Sequence, residues 1–74
     1  MNKIDLHGEK HRDVANKVDS FIRKNINNMP VEIITGNSID MQNIVRKVVI
    51  SYNLEMRPKS FVNLGAYIIS DRIK

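Results

Sequence analysis

Two segments of this chain have apolar residues at the spacing of an amphipathic helix, and this spacing constrains the fold more than any other feature. Each set falls on one face of a helix, so each helix can bury only a single stripe. The first segment covers about residues 10–26, with Val14, Val18, Phe21, Ile22 and Ile26 in its stripe. The second covers about residues 39–52, with Met41, Ile44, Val45, Val48, Val49 and Tyr52.

Short runs of strand-forming residues precede, separate and follow these helices, at about residues 3–7, 31–35, 54–57 and 65–70. The predicted order is β-α-β-α-β-β. The first two strands, joined by a helix, should be parallel neighbours with a right-handed crossover. Two helices with one apolar stripe each can cover one face of a sheet. The sequence therefore predicts an α/β (α+β) two-layer sandwich, with a four-stranded mixed sheet and both helices on one face.

Length and composition narrow the class of protein. A chain of 74 residues predicts one domain, residues 1–74. The absence of cysteine excludes disulfides and thiolate-bound metal. No apolar run approaches the ~20 residues that a membrane span needs, and the N-terminus does not resemble a signal peptide. We expect a cytoplasmic protein that does not act at a membrane, as a monomer or a weak homodimer.

The charge of the chain indicates a polyanionic partner. The formal net charge is +4 and the sequence pI is about 9.7, which favours nucleic acid. The alternative is a charge that only keeps a small protein in solution. The chain has two Phe, two Tyr and no Trp, so extended base stacking is not expected, and structured or duplex DNA or RNA is favoured.

The stretch Ile4-Asp5-Leu6-His7-Gly8 is the strongest candidate for a site. Alternation turns Ile4 and Leu6 toward the core and Asp5 and His7 away from it, and Gly8 allows a sharp turn into the first helix. Parallel neighbouring strands end at the same edge of a sheet, where ligands bind in open α/β sheets. The second strand brings further candidates to that edge, namely Thr35, Gly36, Asn37 and Ser38.

Both helices should begin at the same edge, so their free backbone N–H groups favour an anion. Lys10 and Arg12, in the first turn of the first helix, add positive charge. This arrangement makes phosphate the natural ligand. No cofactor is predicted. The sequence has no compact carboxylate cluster, so a divalent metal such as magnesium would be held weakly, partly by the substrate.

Each candidate residue also has a structural interpretation. Asp5 could accept hydrogen bonds only from backbone amides of the nearby loop, and Gly36 could only satisfy a turn. Ser38 is first of all a helix cap. For His7 a functional role is favoured, because histidine titrates near neutral pH. His7 and His11 are four residues apart, but His7 belongs to a strand, so a two-histidine metal site is not expected.

These residues resemble a known family. The stretch from Ile4 to Gly8 resembles the Leu-Asp-Leu-His-Gly motif that opens the Smr (small MutS-related) domain. The stretch from Ile33 to Gly36 resembles the start of that family's second motif, Thr/His-Gly-x-Gly, and residues 63–69 are similar to its glycine-containing last strand. Because spacing and element order match across nearly the whole chain, it resembles a stand-alone Smr domain.

The resemblance implies a β-α-β-α-β-β sandwich similar to the C-terminal domain of a bacterial translation initiation factor. It implies binding of DNA or RNA and, in some members, endonuclease (hydrolase) activity, with Asp5, His7 and Gly36 as the implicated residues. The chain departs from the pattern at Ser38, where the second motif has its last glycine. That glycine lets the backbone approach a phosphate closely, whereas a serine can cap the helix and donate a hydroxyl.

Three hypotheses follow. In the first, the chain cleaves phosphodiesters, with His7 as general acid or base, Asp5 orienting it or taking a proton, the loop 36–38 holding the phosphate, and Lys10 and Arg12 offsetting charge. In the second, the same surface binds nucleic acid without cleaving it. In the third, the open sheet face, with Ile34 and either Tyr67 or Ile69, mediates protein interaction or self-association.

Overall fold

The elements follow one another in the predicted order in the computed structural model, which describes residues 1–72. The strands in this part of the chain are β1 (Lys3–Asp5), β2 (Val31–Ile34), β3 (Leu54–Pro58) and β4 (Ala66–Asp71). The helices are α1 (His11–Lys24) and α2 (Ile39–Ser51). The predicted fold class is confirmed: two helices pack on a four-stranded mixed sheet.

The sheet has the strand order β1-β2-β4-β3. β1 and β2 are parallel neighbours, as predicted, with Asp5 opposite Ile34. β4 is antiparallel to both β2 and β3 and lies between them. The segment that connects β3 to β4 therefore returns the chain to the end of β2, which is the end from which the loop after β2 leaves the sheet.

Alternation along the strands decides which side chains enter the core. Val31 and Ile33 of β2 are fully buried, and the residues opposite them on β4 are Ile69 and Tyr67. Six residues of the predicted helix stripes are buried in the same core, namely Val14, Val18, Ile22, Met41, Val45 and Val49. Ile26 was also predicted to belong to the first stripe, but it is exposed and lies beyond the end of α1. Both helices thus pack on one face, and Glu32 and Ile34 belong to the other.

The prediction for the open face was wrong for two residues. Tyr67 and Ile69 lie in the core, because the register pairs them with Ile33 and Val31. Ala66 and Ile68 take the open face instead, opposite Ile34 and Glu32. A strand pattern without strict polar alternation does not reveal which of its two faces is buried, and the register with the neighbouring strand settles it.

Helix α1 ends before the predicted boundary because of Asn25. The Asn25 amide Nδ2 donates to the carbonyl of Phe21 at 2.8 Å, which satisfies a carbonyl of the last helical turn. Its Oδ1 accepts from Asn2 at 2.5 Å. This buried asparagine therefore ends the helix and ties it to the N-terminal segment that leads into β1.

A second polar link joins α1 to the end of α2. The hydroxyl of Tyr52 donates to Asp19 at 2.6 Å, and Asp19 also accepts from Arg23 at 2.6 Å. Hydrogen bonding by Tyr52 and the charge of Asp19 raise the pKa of Arg23.

Within residues 1–72, neither helix has the length and apolar content that crossing a bilayer requires.

Replacing Ile33 with alanine should lower the free energy of unfolding by about 2–5 kcal/mol, because it leaves a cavity in the central strand of the core. This is a large fraction of the roughly 5–15 kcal/mol that stabilises a typical domain. Urea denaturation measures the change. The control is Ile50→Ala, at an exposed position of α2, where the change should stay within about 0.5 kcal/mol. Equal losses at both positions would contradict the assigned core.

Candidate functional site

The turn after β1 is built by the side chain of Asp5. Its Oδ1 accepts a hydrogen bond from the backbone N–H of His7 at 2.9 Å, the local pattern typical of aspartate in turns. The backbone N–H of Leu6 still donates to the carbonyl of Ile34 at 2.8 Å, and Gly8 turns the chain at a φ of +85°. The strand therefore ends at Asp5 rather than at the predicted His7, and His7 projects from the turn.

The turn after β2 is held against the start of β4. The carbonyl of Gly65 accepts the backbone N–H of Thr35 at 2.8 Å and that of Gly36 at 3.0 Å. The backbones approach so closely that a Cβ on Gly65 would lie 3.1 Å from the carbonyl carbon of Gly36. Glycine at position 65 is what permits this contact.

The imidazole of His7 packs on the other side of Gly36. A Cβ on Gly36 would lie 3.1 Å from Cδ2 of His7, and Gly36 has a φ of +69°. Gly36 thus needs to be glycine both for its backbone conformation and for the room that the ring occupies. The sequence predicted that the loops after β1 and β2 share one edge of the sheet, and the structure brings His7 and Gly36 into contact there.

A side chain of helix α2, that of Gln42, also holds the two loops together. The amide Nε2 of Gln42 lies 3.2 Å from the carbonyl oxygen of Gly36 and 3.1 Å from that of Leu64. The buried hydroxyl of Thr35 lies 2.8 Å from the Gly36 carbonyl oxygen and 3.3 Å from that of Gly65. The two loops that meet at Gly36 are therefore held by hydrogen bonds rather than only by packing.

An open groove of about 480 Å³ lies in front of His7. We call it the His7 groove. It brings together four of the predicted site residues, Asp5, His7, Gly36 and Asn37. The other residues that line it are Lys3, Glu32, Ile34, Lys59, Asn63, Gly65 and Ala66.

The charges of the His7 groove nearly cancel. Glu32, which is buried, pairs with Lys59 at 3.2 Å. Lys3 and Asp5, both exposed, lie on the adjacent strand. The lining contains two lysines and two carboxylates, so their formal charges cancel.

The remaining predicted residues lie outside the groove lining. Thr35 is buried, and Gly8 belongs to the turn that leads to α1. The hydroxyl of Ser38 accepts from the backbone N–H of Met41 at 3.2 Å and caps α2, as expected of serine there. Lys10 and Arg12 are exposed at the start of α1. Neither of these two cations lines the His7 groove.

Sequence reasoning missed four polar residues of the groove, namely Lys3, Glu32, Lys59 and Asn63. Alternation along β1 places Lys3 on the same face as Asp5 and His7, so a signal for it was present in the sequence. Glu32 interrupts an apolar run, which could also have been noticed. No local signal identifies Lys59, because its position depends on how the segment after β3 returns over the sheet.

No group of three His, Asp or Glu side chains that could hold a metal ion is found within residues 1–72.

Comparisons with protein-family models, with curated proteins and with solved structures gave no significant match. The resemblance to the Smr domain therefore rests on the motif residues and on the order of the elements.

Alanine at Gly36 or at Gly8 should lower the free energy of unfolding by about 1–3 kcal/mol, because both have a positive φ. Only the change at Gly36 should depend on His7. In a double-mutant cycle with His7→Ala, monitored by urea denaturation, we expect a coupling of about 0.5 kcal/mol or more at Gly36. Gly8 is the control, since a Cβ there would meet nothing within 4 Å. Zero coupling at Gly36 would show that the ring does not pack on it.

Proposed function

We propose that this chain is a nucleic-acid-binding domain of the Smr type, that the His7 groove binds a phosphodiester, and that His7 is the acid–base group of its cleavage. The observation that carries the proposal is the contact of the His7 imidazole with Gly36. It joins the residues of two motifs that are far apart in sequence. The same groove contains Asp5 and Asn37.

The groove offers donors suited to a phosphate. Lys3 and Lys59 carry positive charge, with Lys59 already paired with Glu32, and the side-chain amides of Asn37 and Asn63 can donate hydrogen bonds. In this proposal the two lysines offset the charge that develops during cleavage. They replace Lys10 and Arg12, which were expected in that role from sequence but lie outside the groove lining.

In the proposed reaction His7 takes a proton from the attacking oxygen or gives one to the leaving oxygen. Positioned acid–base catalysis of this kind contributes roughly 10²–10⁴-fold. Asp5 acts as a positioning residue, because its carboxylate holds the backbone N–H of His7. Because its carboxylate already accepts the backbone N–H of His7, Asp5 is given this positioning role and not that of a proton acceptor.

The second candidate function is binding without cleavage, and the same hydrogen bond favours it. The carboxylate of Asp5 contacts the backbone of His7 instead of polarising the imidazole. The groove would then hold a phosphate through Lys3, Lys59 and the two asparagines. This function requires no titrating group, and it shares every other feature of the first proposal.

His7→Ala should lower the rate of phosphodiester cleavage by about 10²-fold or more, since it removes the acid–base group. The assay uses labelled single- and double-stranded RNA and DNA, with and without magnesium. His11→Ala is the matched control, because His11 is exposed on α1 and does not line the groove. Cleavage by His7→Ala at the unchanged rate would refute the catalytic role. Binding without cleavage by the unchanged protein would establish the second candidate.

Lys3→Gln should weaken nucleic-acid binding at low salt, because it removes a cation that contacts phosphate. The slope of log affinity against log salt concentration should fall by about 1, the value for one lost phosphate contact. Fluorescence anisotropy over a salt series measures both effects. Lys47→Gln, at an exposed position of α2, should leave the slope unchanged. Equal slopes for the two variants would place the phosphate elsewhere on the surface.

A further inference from the structure

The segment between β3 and β4 exposes three large apolar side chains close together in sequence. Phe61 is 103% exposed, Val62 94% and Leu64 53%. Phe61 and Leu64 line an open depression of about 340 Å³, within the size range of small-molecule sites. The rest of the lining is Arg57, Pro58, Lys59 and Ser60. Exposed apolar side chains that cluster in this way mark an interaction site.

The backbone of this segment is held in place, so the exposed side chains sit on a fixed turn. Lys59 donates its backbone N–H to the carbonyl of Ala66 at 2.9 Å. The backbone N–H of Asn63 donates to the hydroxyl of Ser60 at 3.0 Å, and the side chain of Asn63 accepts from Gly65 at 3.1 Å. A fixed display of an aromatic ring lowers the entropy lost when a ligand covers it.

The depression lies next to the His7 groove, because Lys59 lines both. Its charged residues are Arg57 and Lys59, and no acidic side chain belongs to its lining. An apolar surface with an aromatic ring and two cations matches a nucleobase and its flanking phosphates, because bases stack on aromatic rings while cations contact the backbone. The charges thus favour nucleic acid over a purely apolar protein surface.

We infer that the depression binds one unpaired nucleobase stacked on Phe61, beside the phosphate in the His7 groove. The inference rests on the proposed function and specifies its substrate class: single-stranded nucleic acid, or an unpaired nucleotide in a folded one. A base inside a duplex is paired and stacked on its neighbours, so its face cannot reach Phe61. The sequence favours structured or duplex nucleic acid, because the chain has few aromatic residues for stacking. A single unpaired base needs only one exposed ring, and Phe61 supplies it.

The test measures binding of the full chain to short labelled oligonucleotides by fluorescence anisotropy. One probe is an oligonucleotide with a single base among abasic positions, and the second is fully abasic. We expect the unchanged protein to prefer the probe with a base, and Phe61→Ala to lose roughly 5- to 150-fold in affinity for it, the effect of removing one stacking contact. Affinity for the fully abasic probe should not change.

Two further variants separate stacking from general apolar contact. Phe61→Tyr keeps an aromatic face and should retain the preference, whereas Phe61→Leu keeps only apolar area and should lose it. Val62→Ala is the matched control, since Val62 is equally exposed on the same turn but does not line the depression. Because these side chains are exposed, the variants should keep the circular dichroism spectrum of the unchanged protein.

The outcomes distinguish this inference from the proposed function. If Phe61→Ala binds the probe with a base as tightly as the unchanged protein does, the inference is overturned and the proposed function stands. A preference for a blunt duplex over the single-stranded probe would also overturn the inference alone. No binding to any nucleic acid overturns both. Self-association that Phe61→Ala abolishes, with nucleic-acid affinity unchanged, would identify the depression as an interface between copies and overturn the inference.

Discussion

The close approach of two glycine backbones, Gly36 and Gly65, is the contact on which the candidate site depends. The Gly65 carbonyl accepts the backbone N–H groups of two consecutive residues, Thr35 and Gly36, in the turn after β2. These two hydrogen bonds hold the turn against the start of β4 at the point where the chain leaves the sheet. His7 then packs on Gly36. A Cβ on Gly65 would meet the Gly36 backbone, and a Cβ on Gly36 would meet the His7 ring, so a larger residue at either position would disturb one of these two contacts.

The strand order explains why residues from three distant parts of the sequence meet there. β4 lies between β2 and β3, so the segment before β4 crosses back to the exits of β1 and β2. It brings Lys59 against Glu32 and Asn63 to the rim of the groove. The buried carboxylate needs this partner, because an unpaired buried charge is strongly unfavourable. The same ion pair therefore holds the returning segment in place and sets the charge of the groove.

The polar and apolar parts of this edge have complementary chemistry. The His7 groove combines a histidine, two lysines, two asparagines and two carboxylates, and in the proposed function its lysines and asparagines hold a phosphate. The lining of the adjacent depression includes Phe61 and Leu64 together with two cations, which suits a base. Lys59 lines both surfaces, so they are neighbours on the molecule. A nucleotide is the ligand class that carries a phosphate and a base in adjacent groups, so it matches both surfaces.

The sequence by itself determined the order and type of the elements, because helical spacing and short strand-forming runs are local properties. It also determined that Asp5, His7, Gly36 and Asn37 would share one edge, since parallel neighbouring strands end on the same side. Tertiary structure alone decided the register that buries Tyr67 and Ile69 and leaves Ala66 and Ile68 on the open face. It also decided that Lys59, rather than Lys10 or Arg12, lies in the groove. Those outcomes depend on how distant segments pair, and no local pattern in the chain encodes the pairing of β4 with β2.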